Sequence, residues 1–301
     1  EGTPLTVTIN NVEYTTAVQA DGSWSVGVTA AQVSAWPAGT INIAVSGESS
    51  AGNPISITHP VTVDLTPAAI TINTIATDDV INGAEKGADL TLSGTTTNVE
   101  AGQTVTVTFG GKNYTASVAS DGSWSATVPA ADLALLTDGS ASAQASVSNI
   151  NGNSASAVHN YSVDSSAPTI IINTVASDNI VNASEADAGV TVSGSTTAEA
   201  GQIVTVTLNS PTVQTYQATV QADGSWSINI PAADLEALTD GSHTLTAMVN
   251  DKAGNPASTT HNLAVDLTVP VLTINTIAGD DIINAAEHGQ ALVISLSLIQ
   301  I

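Results

Sequence analysis

Hydrophobic and polar residues alternate with a period of two along most of the chain. Between Pro67 and Asp164 the alternating runs are ITINTIA (from Ile70), DLTLSGTTT (Asp89), TVTVTFG (Thr104), NYTASVA (Asn113), SWSATVPA (Ser123), SASAQASVS (Ser140) and SASAVHNYSVD (Ser154), separated by clusters of Gly, Asn, Asp and Ser. Period-two alternation sends successive side chains to opposite faces, so each run predicts a strand with one buried face. The stretch AADLALLTDG, Ala130 to Gly139, breaks the alternation and predicts a short helical or turn crossover. Trp124, Val105, Val107, Leu90 and Leu92 are the expected core.

The pattern repeats. DGSW begins at Asp21, Asp121 and Asp223, spacings of 100 and 102 residues. VDLTP at Val63, VDSSAP at Val163 and VDLTVP at Val265 keep the same period, as do PAADL at Pro129 and Pro231 and AGQ at Ala101 and Ala200. A period of this length suits a whole small domain rather than a solenoid unit. Seven short strands per period, with turn signals about every dozen residues, predict an all-β chain of tandem immunoglobulin-like antiparallel β-sandwich domains in an elongated array. The register gives a partial repeat at 1–65 lacking its first two strands, repeats at 66–165 and 166–267, and the first two strands of a further repeat at 268–301 with an atypical tail. Leu296 stands where Gly94 and Gly194 stand in the repeats before it. Strands from 268–301 are expected to complete 1–65, within the chain or by strand exchange between copies.

Charge narrows the partners. Asp and Glu outnumber Lys and Arg by 27 to 3, for a net charge of -24, and the only lysines are Lys86, Lys112 and Lys252. Nucleic acid and anionic lipid both need clustered cations, so neither is expected as a partner. With no Cys, disulfides and thiolate metal sites are excluded. The longest apolar run, Ala291 to Ile301, is too short for a bilayer, so no membrane insertion is expected.

The acidic residues are not scattered. TIATDDVINGAE (Thr74 to Glu85) returns as TVASDNIVNASE (Thr174 to Glu185) and TIAGDDIINAAE (Thr276 to Glu287). In such a sandwich this loop, the chain exit and the LTDG crossover share one pole, facing the AEAGQ-type turn of the next repeat. Asp78, Asp79, Glu85, Asp138 and Asp164 are therefore candidates to converge with Glu199. Equivalent sets draw on Asp64 and Glu100, on Asp178, Glu185, Asp240 and Asp266, and on Asp280, Asp281 and Glu287. Gathered carboxylates repel by roughly 1 to 4 kcal/mol per pair at about 4 Å, and three lysines cannot offset that. A hard divalent cation can, and an oxygen-only donor set suits Ca²⁺. The competing reading is that Asp and Asn recur in turns for backbone reasons. The third repeat departs from the pattern, with Asn179 for the second Asp and an added Asp187.

Taken together, VDxTxP at the junction, DDxINxAE, VEAGQTVTV, DGSWSATVPAADL and AGN before the last strand resemble the bacterial Ig-like repeats of giant secreted adhesins and biofilm-associated proteins, including those exported by type I secretion. The resemblance implies a secreted protein at the bacterial cell surface, supporting cell adhesion or biofilm formation as a stalk. It also implies Ca²⁺ bound by Asp and Glu at domain junctions, with neighbouring repeats as partners and host or abiotic surfaces met through other parts of the parent protein. The alternative is a carbohydrate- or surface-binding module. An enzyme is not expected, because no nucleophile elbow or repeated Ser-His arrangement occurs. Trp24, Trp124, Trp226 and Trp36 are expected in the core, His59, His159 and His261 on strand faces, and Asp21, Asp121 and Asp223 in turns.

Overall fold

The computed structural model describes residues 2–209 and 213–299 and is almost entirely β. The first fragment holds β1 (Pro4–Ile9), β2 (Val12–Ala17), α1 (Ala30–Ser34), β3 (Gly39–Glu48) and β4 (Pro54–Val63), in one sheet of order β2-β1-β3-β4. The second repeat holds β5 (Ala69–Ile70), β6 (Val80–Ile81), β7 (Leu90–Thr97), β8 (Thr104–Phe109), β9 (Lys112–Ser117), β10 (Ser123–Val128), α2 (Ala130–Leu133), β11 (Gly139–Ser148) and β12 (Ser154–Val163). Their sheets run β10-β7-β5 and β6-β12-β11-β8-β9. The third repeat follows with β13 (Ile170–Ile172), β14 (Ile180–Asn182), α3 (Ala183–Ala188), β15 (Val190–Thr196), β16 (Ile203–Asn209), β17 (Gln214–Thr219), β18 (Ser225–Ile230), α4 (Ala232–Glu236), β19 (Gly241–Asn250) and β20 (Pro256–Asp266). Its sheets have the same plan, β13-β15-β18 and β14-β20-β19-β16-β17. A hairpin of β21 (Val271–Ile274) and β22 (Leu296–Ile299) ends the described chain.

Two compact units are present. One comprises Glu1–Asn73, Thr91–Val128 and Ser142–Asn160; the other comprises Thr74–Leu90, Pro129–Ala141 and Tyr161–Ile301.

Sandwich packing is clearest in the third repeat. Val204, Val206 and Leu208 of β16 are fully buried while Thr205 and Thr207 alternate outward, as the period of two requires. They join Leu245 and Leu263 of the same sheet and Val192, Trp226 and Ile230 of the opposite one in a single core. Burying each such aliphatic side chain contributes about 1.5–3 kcal/mol. Gly194 lies under Trp226: a Cβ there would stand 2.0 Å from the Ile171 carbonyl oxygen and 2.5 Å from the indole. Only glycine lets β13 and the tryptophan approach β15 this closely.

The predicted strands of the second repeat are all present, and an eighth, β6, was not predicted. The chain leaves β5, turns, and rejoins the other sheet as β6, parallel to β12 through Ser162↔Val80 and Val163↔Ile81. β14 repeats this with β20. A strand of two or three residues has too few positions for alternation to register, although Ile81 is fully buried. Leu90, expected in the core, is half-buried, while Trp124, Val105, Val107 and Leu92 are buried. Trp24 corrects the expected core: it is 40% exposed, against 2% for Trp124 and 1% for Trp226. β5–β7 and β13–β15 cover those two, and residues 2–65 contain no counterpart of them. The β21–β22 hairpin has that counterpart's register, pairing Ile274 with Leu296 as β13–β15 pairs Ile172 with Gly194. Gln300 and Ile301 of the atypical tail lie outside the described residues.

Candidate functional site

The repeated acidic loop is a tight turn whose carboxylates serve its backbone. Ala76, Thr77 and Asp79 have φ of 51°, 74° and 65°. Asp79 accepts from the Ile75 N–H through Oδ1 at 2.8 Å and returns its own N–H to the Ile75 carbonyl at 2.8 Å. Asp281 makes the same pair of bonds with Ile277, and Asn179 makes it with Val175. An amide oxygen accepts as a carboxylate does, which accounts for Asn at 179. It also accepts a contact from His261, whose Nε2 lies 2.7 Å from Asn179 Oδ1. Asp78, Asp178 and Asp280 each accept from the N–H two residues on, at 3.0 Å.

The glutamates close capping boxes. Glu85, Glu185 and Glu287 accept from the N–H of Asn82, Asn182 and Asn284 at 3.0, 3.1 and 3.0 Å. Each Asn side chain in turn accepts from the N–H of its Glu. The N-x-x-E spacing in INGAE, VNASE and INAAE carries this signal, which is missed when the glutamates are read for charge alone.

A different subset of acids meets at the junction between the second and third repeats. Within the second compact unit, Asp78, Asp138, Asp164 and Glu199 line one cleft of about 690 Å³ together with Lys252 and Ala253. Asp79 and Glu85 are not among the lining residues. Asp138 grips the chain exit: Oδ1 accepts from Ser165 N–H at 3.1 Å and Ser165 Oγ at 2.7 Å, and Oδ2 accepts from Ser166 Oγ at 2.7 Å. The Ser166 hydroxyl, then the Ser165 bonds, then nearby Lys86 hold its carboxyl below the usual carboxylate range. Lys86 Nζ donates to the Leu136 carbonyl at 2.8 Å and to Ser165 Oγ at 3.2 Å. Asp164 Oδ1 accepts from Ser166 N–H at 3.2 Å, and Glu199 Oε2 accepts from Lys252 N–H at 2.8 Å.

The latch recurs. Asp240 accepts from Leu267 N–H at 2.7 Å and from Thr268 Oγ1 at 2.6 Å, and the Thr268 hydroxyl leads the bonds that lower its pKa. Asp266 accepts from Thr268 N–H at 3.2 Å. In the first unit, Asp64 accepts from Thr66 N–H at 2.9 Å and from Asn151, with Thr66 the leading cause of its lowered pKa, and Glu100 accepts from Ile150 N–H at 2.8 Å. Asp21, Asp121 and Asp223 are turn acceptors for the Ser two residues on.

The four cleft carboxylates suit a hard cation in kind, being oxygen donors with net negative charge. Asp78, Asp164 and Glu199 each use one carboxylate oxygen in the bonds above. In this geometry no three His, Asp or Glu side chains among the described residues gather as metal ligands. No helix of the described residues is long and apolar enough to cross a membrane.

A family model for the bacterial Ig-like domain matches residues 166–267. Across a longer span, the chain is similar to a solved structure of a 1.5-MDa bacterial ice-binding adhesin described for its host cell surface retention, with 33% identity over 89% of this chain and 87% of that one and a TM-score of 0.50. The chain belongs to the bacterial Ig-like domain family. Its similarity to bacterial Ig-like adhesins extends to a Ca²⁺-stabilised adhesin that helps an Antarctic bacterium reach out and bind ice, at 34% identity over 100% of this chain and 74% of that one, TM-score 0.47. It extends also to a tetra-tandem repeat in the extending region of a large adhesion protein, at 27% identity over 91% and 70% of the two chains, TM-score 0.34. No curated protein matches.

Proposed function

We propose that this chain is a structural spacer segment of a large secreted bacterial surface adhesin, and that its role is mechanical rather than enzymatic. The observation that carries the reading is the latched exit. Asp164 N–H bonds the Ile81 carbonyl at 3.0 Å, Asp138 holds Ser165 and Ser166, and β13 of the next repeat begins at Ile170. So short and so bonded a connection leaves little linker to flex, which suits a chain that transmits length. The similarity to a 1.5-MDa bacterial ice-binding adhesin supports it. Adhesion, biofilm formation, export by type I secretion and contact with host or abiotic surfaces belong to the parent protein on this reading.

The repeats at 66–165 and 166–267 are the units of the spacer. A divalent cation, Ca²⁺ first, would draw together the second carboxylate oxygens of Asp78, Asp164 and Glu199, which line the cleft from both sides of the junction beside the latched Asp138. When bound it neutralises the gathered carboxylates and favours one arrangement of the two repeats. Strands of 268–299 carry the register needed to complete 2–65, within the chain or by strand exchange between copies.

The spacer reading is tested by inserting one further copy of 166–267 and measuring the maximum dimension by small-angle scattering in calcium. Equal increments per added repeat are expected; a dimension that grows only as a compact body does would rule the spacer out.

A further inference from the structure

The loop before the last strand of the third repeat, DKAGN, reaches back across the junction. Asn255 is 3% exposed and Asp251 is 7% exposed, both polar side chains in a mostly apolar fold. Asn255 Nδ2 donates to the Asp164 carbonyl at 2.9 Å and to Asp251 Oδ2 at 2.9 Å, while its Oδ1 accepts from Gly83 N–H at 2.7 Å. Asp251 Oδ1 accepts from Asn255 N–H at 2.8 Å and so holds the loop in shape. Gly83 and Asp164 belong to the repeat before, so one carboxamide bonds both the first loop and the exit of its neighbour. A Cβ on Gly83 would stand 3.1 Å from Asn255 Oδ1, and the fit is therefore close.

The same contact occurs one period earlier. Asn153 Nδ2 donates to the Asp64 carbonyl at 3.3 Å, and the buried Asn149 replaces Asp251, accepting from Asn153 N–H at 2.9 Å. The donor and the carbonyl are separated by 89 residues in one case and 91 in the other. The tripeptide Ala51-Gly52-Asn53 repeats the sequence again in the first fragment, where Asn53 is exposed.

We infer that this asparagine is a metal-independent clamp for the exit of a preceding repeat, defining the mutual orientation that any cation at the acidic cleft then reinforces. The inference rests on the repeat-array reading but not on calcium. A neutral carboxamide suits the task, since it presents a donor to a carbonyl and an acceptor to an amide at once without adding charge to a cleft that already has four carboxylates.

The chain has no cysteine, so Leu135→Cys and Gln217→Cys, exposed positions in consecutive repeats, can be spin-labelled in the full chain. Dipolar spectroscopy in chelator should give a single distance peak. Asn255→Ala should broaden it and speed exchange of the Gly83 amide about tenfold, the factor that matches the net worth of one hydrogen bond. Gly83→Pro supplies a second variant. It removes the N–H that Asn255 Oδ1 accepts from, in a turn whose own side-chain bonds use the N–H groups of Asn82, Ala84 and Glu85 instead. A single unbroadened peak in both variants overturns the clamp. So does a wild-type chain with no defined peak in chelator, even if calcium restores one and the cation reading survives. A peak that is narrow in chelator, unchanged by calcium and lost in the variants supports the clamp while counting against the cation.

Discussion

Asp79 and Ile75 are bonded twice, side chain to N–H at 2.8 Å and N–H to carbonyl at 2.8 Å, and this pair closes the acidic loop of the second repeat. In this pair residue 79 supplies an acceptor oxygen, which an amide provides as a carboxylate does. Asp79→Asn should keep this bond and be the milder change, while Asp79→Ala should cost roughly 1–3 kcal/mol by leaving the Ile75 N–H unmet. Urea unfolding of the two variants measures the difference.

The capping boxes predict a similar contrast. Asn182 accepts from Ser184 and Glu185 N–H groups, so Asn182→Ala should lower stability by about 1 kcal/mol, and Asn182→Asp should largely keep it. Chemical denaturation of both variants tests this.

At Gly194 the expected cost is larger. A methyl group 2.0 Å from a backbone oxygen cannot be accommodated by a side-chain shift, so Gly194→Ala should cost about 3 kcal/mol or more. Gly27 has open space and no positive φ, so Gly27→Ala should be close to neutral. A thermal melt that places the two variants together would contradict the packing described for Trp226.

Acid should loosen the exits. Asp138 and Asp240 have folded pKa values below the usual carboxylate value because hydroxyl and amide donors favour the ionised form. The stability they contribute is thus present above the unfolded pKa, about 4, and is lost as pH falls through the lower folded value. Asp138→Ala should be less stable than wild type at pH 6, and the gap should shrink by pH 3. Thermal unfolding at the two pH values reads it out; a gap that persists in acid would contradict the latch.

Much of the fold is written in the alternation. Every long strand of the second repeat follows it, and the crossover AADLALLTDG contains α2, because a side-chain period of two needs only sequence to be seen. β6 escapes because two residues carry no period, and Trp24 because core membership depends on strands that residues 2–65 do not contain. The acidic positions were legible as a recurring set but not in their separate roles. Asp79 and Glu85 bond their own turn and cap, and Asp78, Asp138, Asp164 and Glu199 line a cleft, a division that depends on which way each oxygen points. Asn255 carries no charge and sits in an ordinary turn tripeptide, so nothing in its sequence context marks a bond to a carbonyl 91 residues away.

The claim that a cation at the acidic cleft joins consecutive repeats is tested most directly by the thermal unfolding midpoint of the full chain in calcium and in chelator, beside Asp164→Asn. At tenfold excess over the dissociation constant a site adds about 1.4 kcal/mol, or about 6–11 °C for domains of about 100 residues. The account predicts that rise for the wild-type chain and its loss in Asp164→Asn; equal midpoints in calcium and chelator would contradict it.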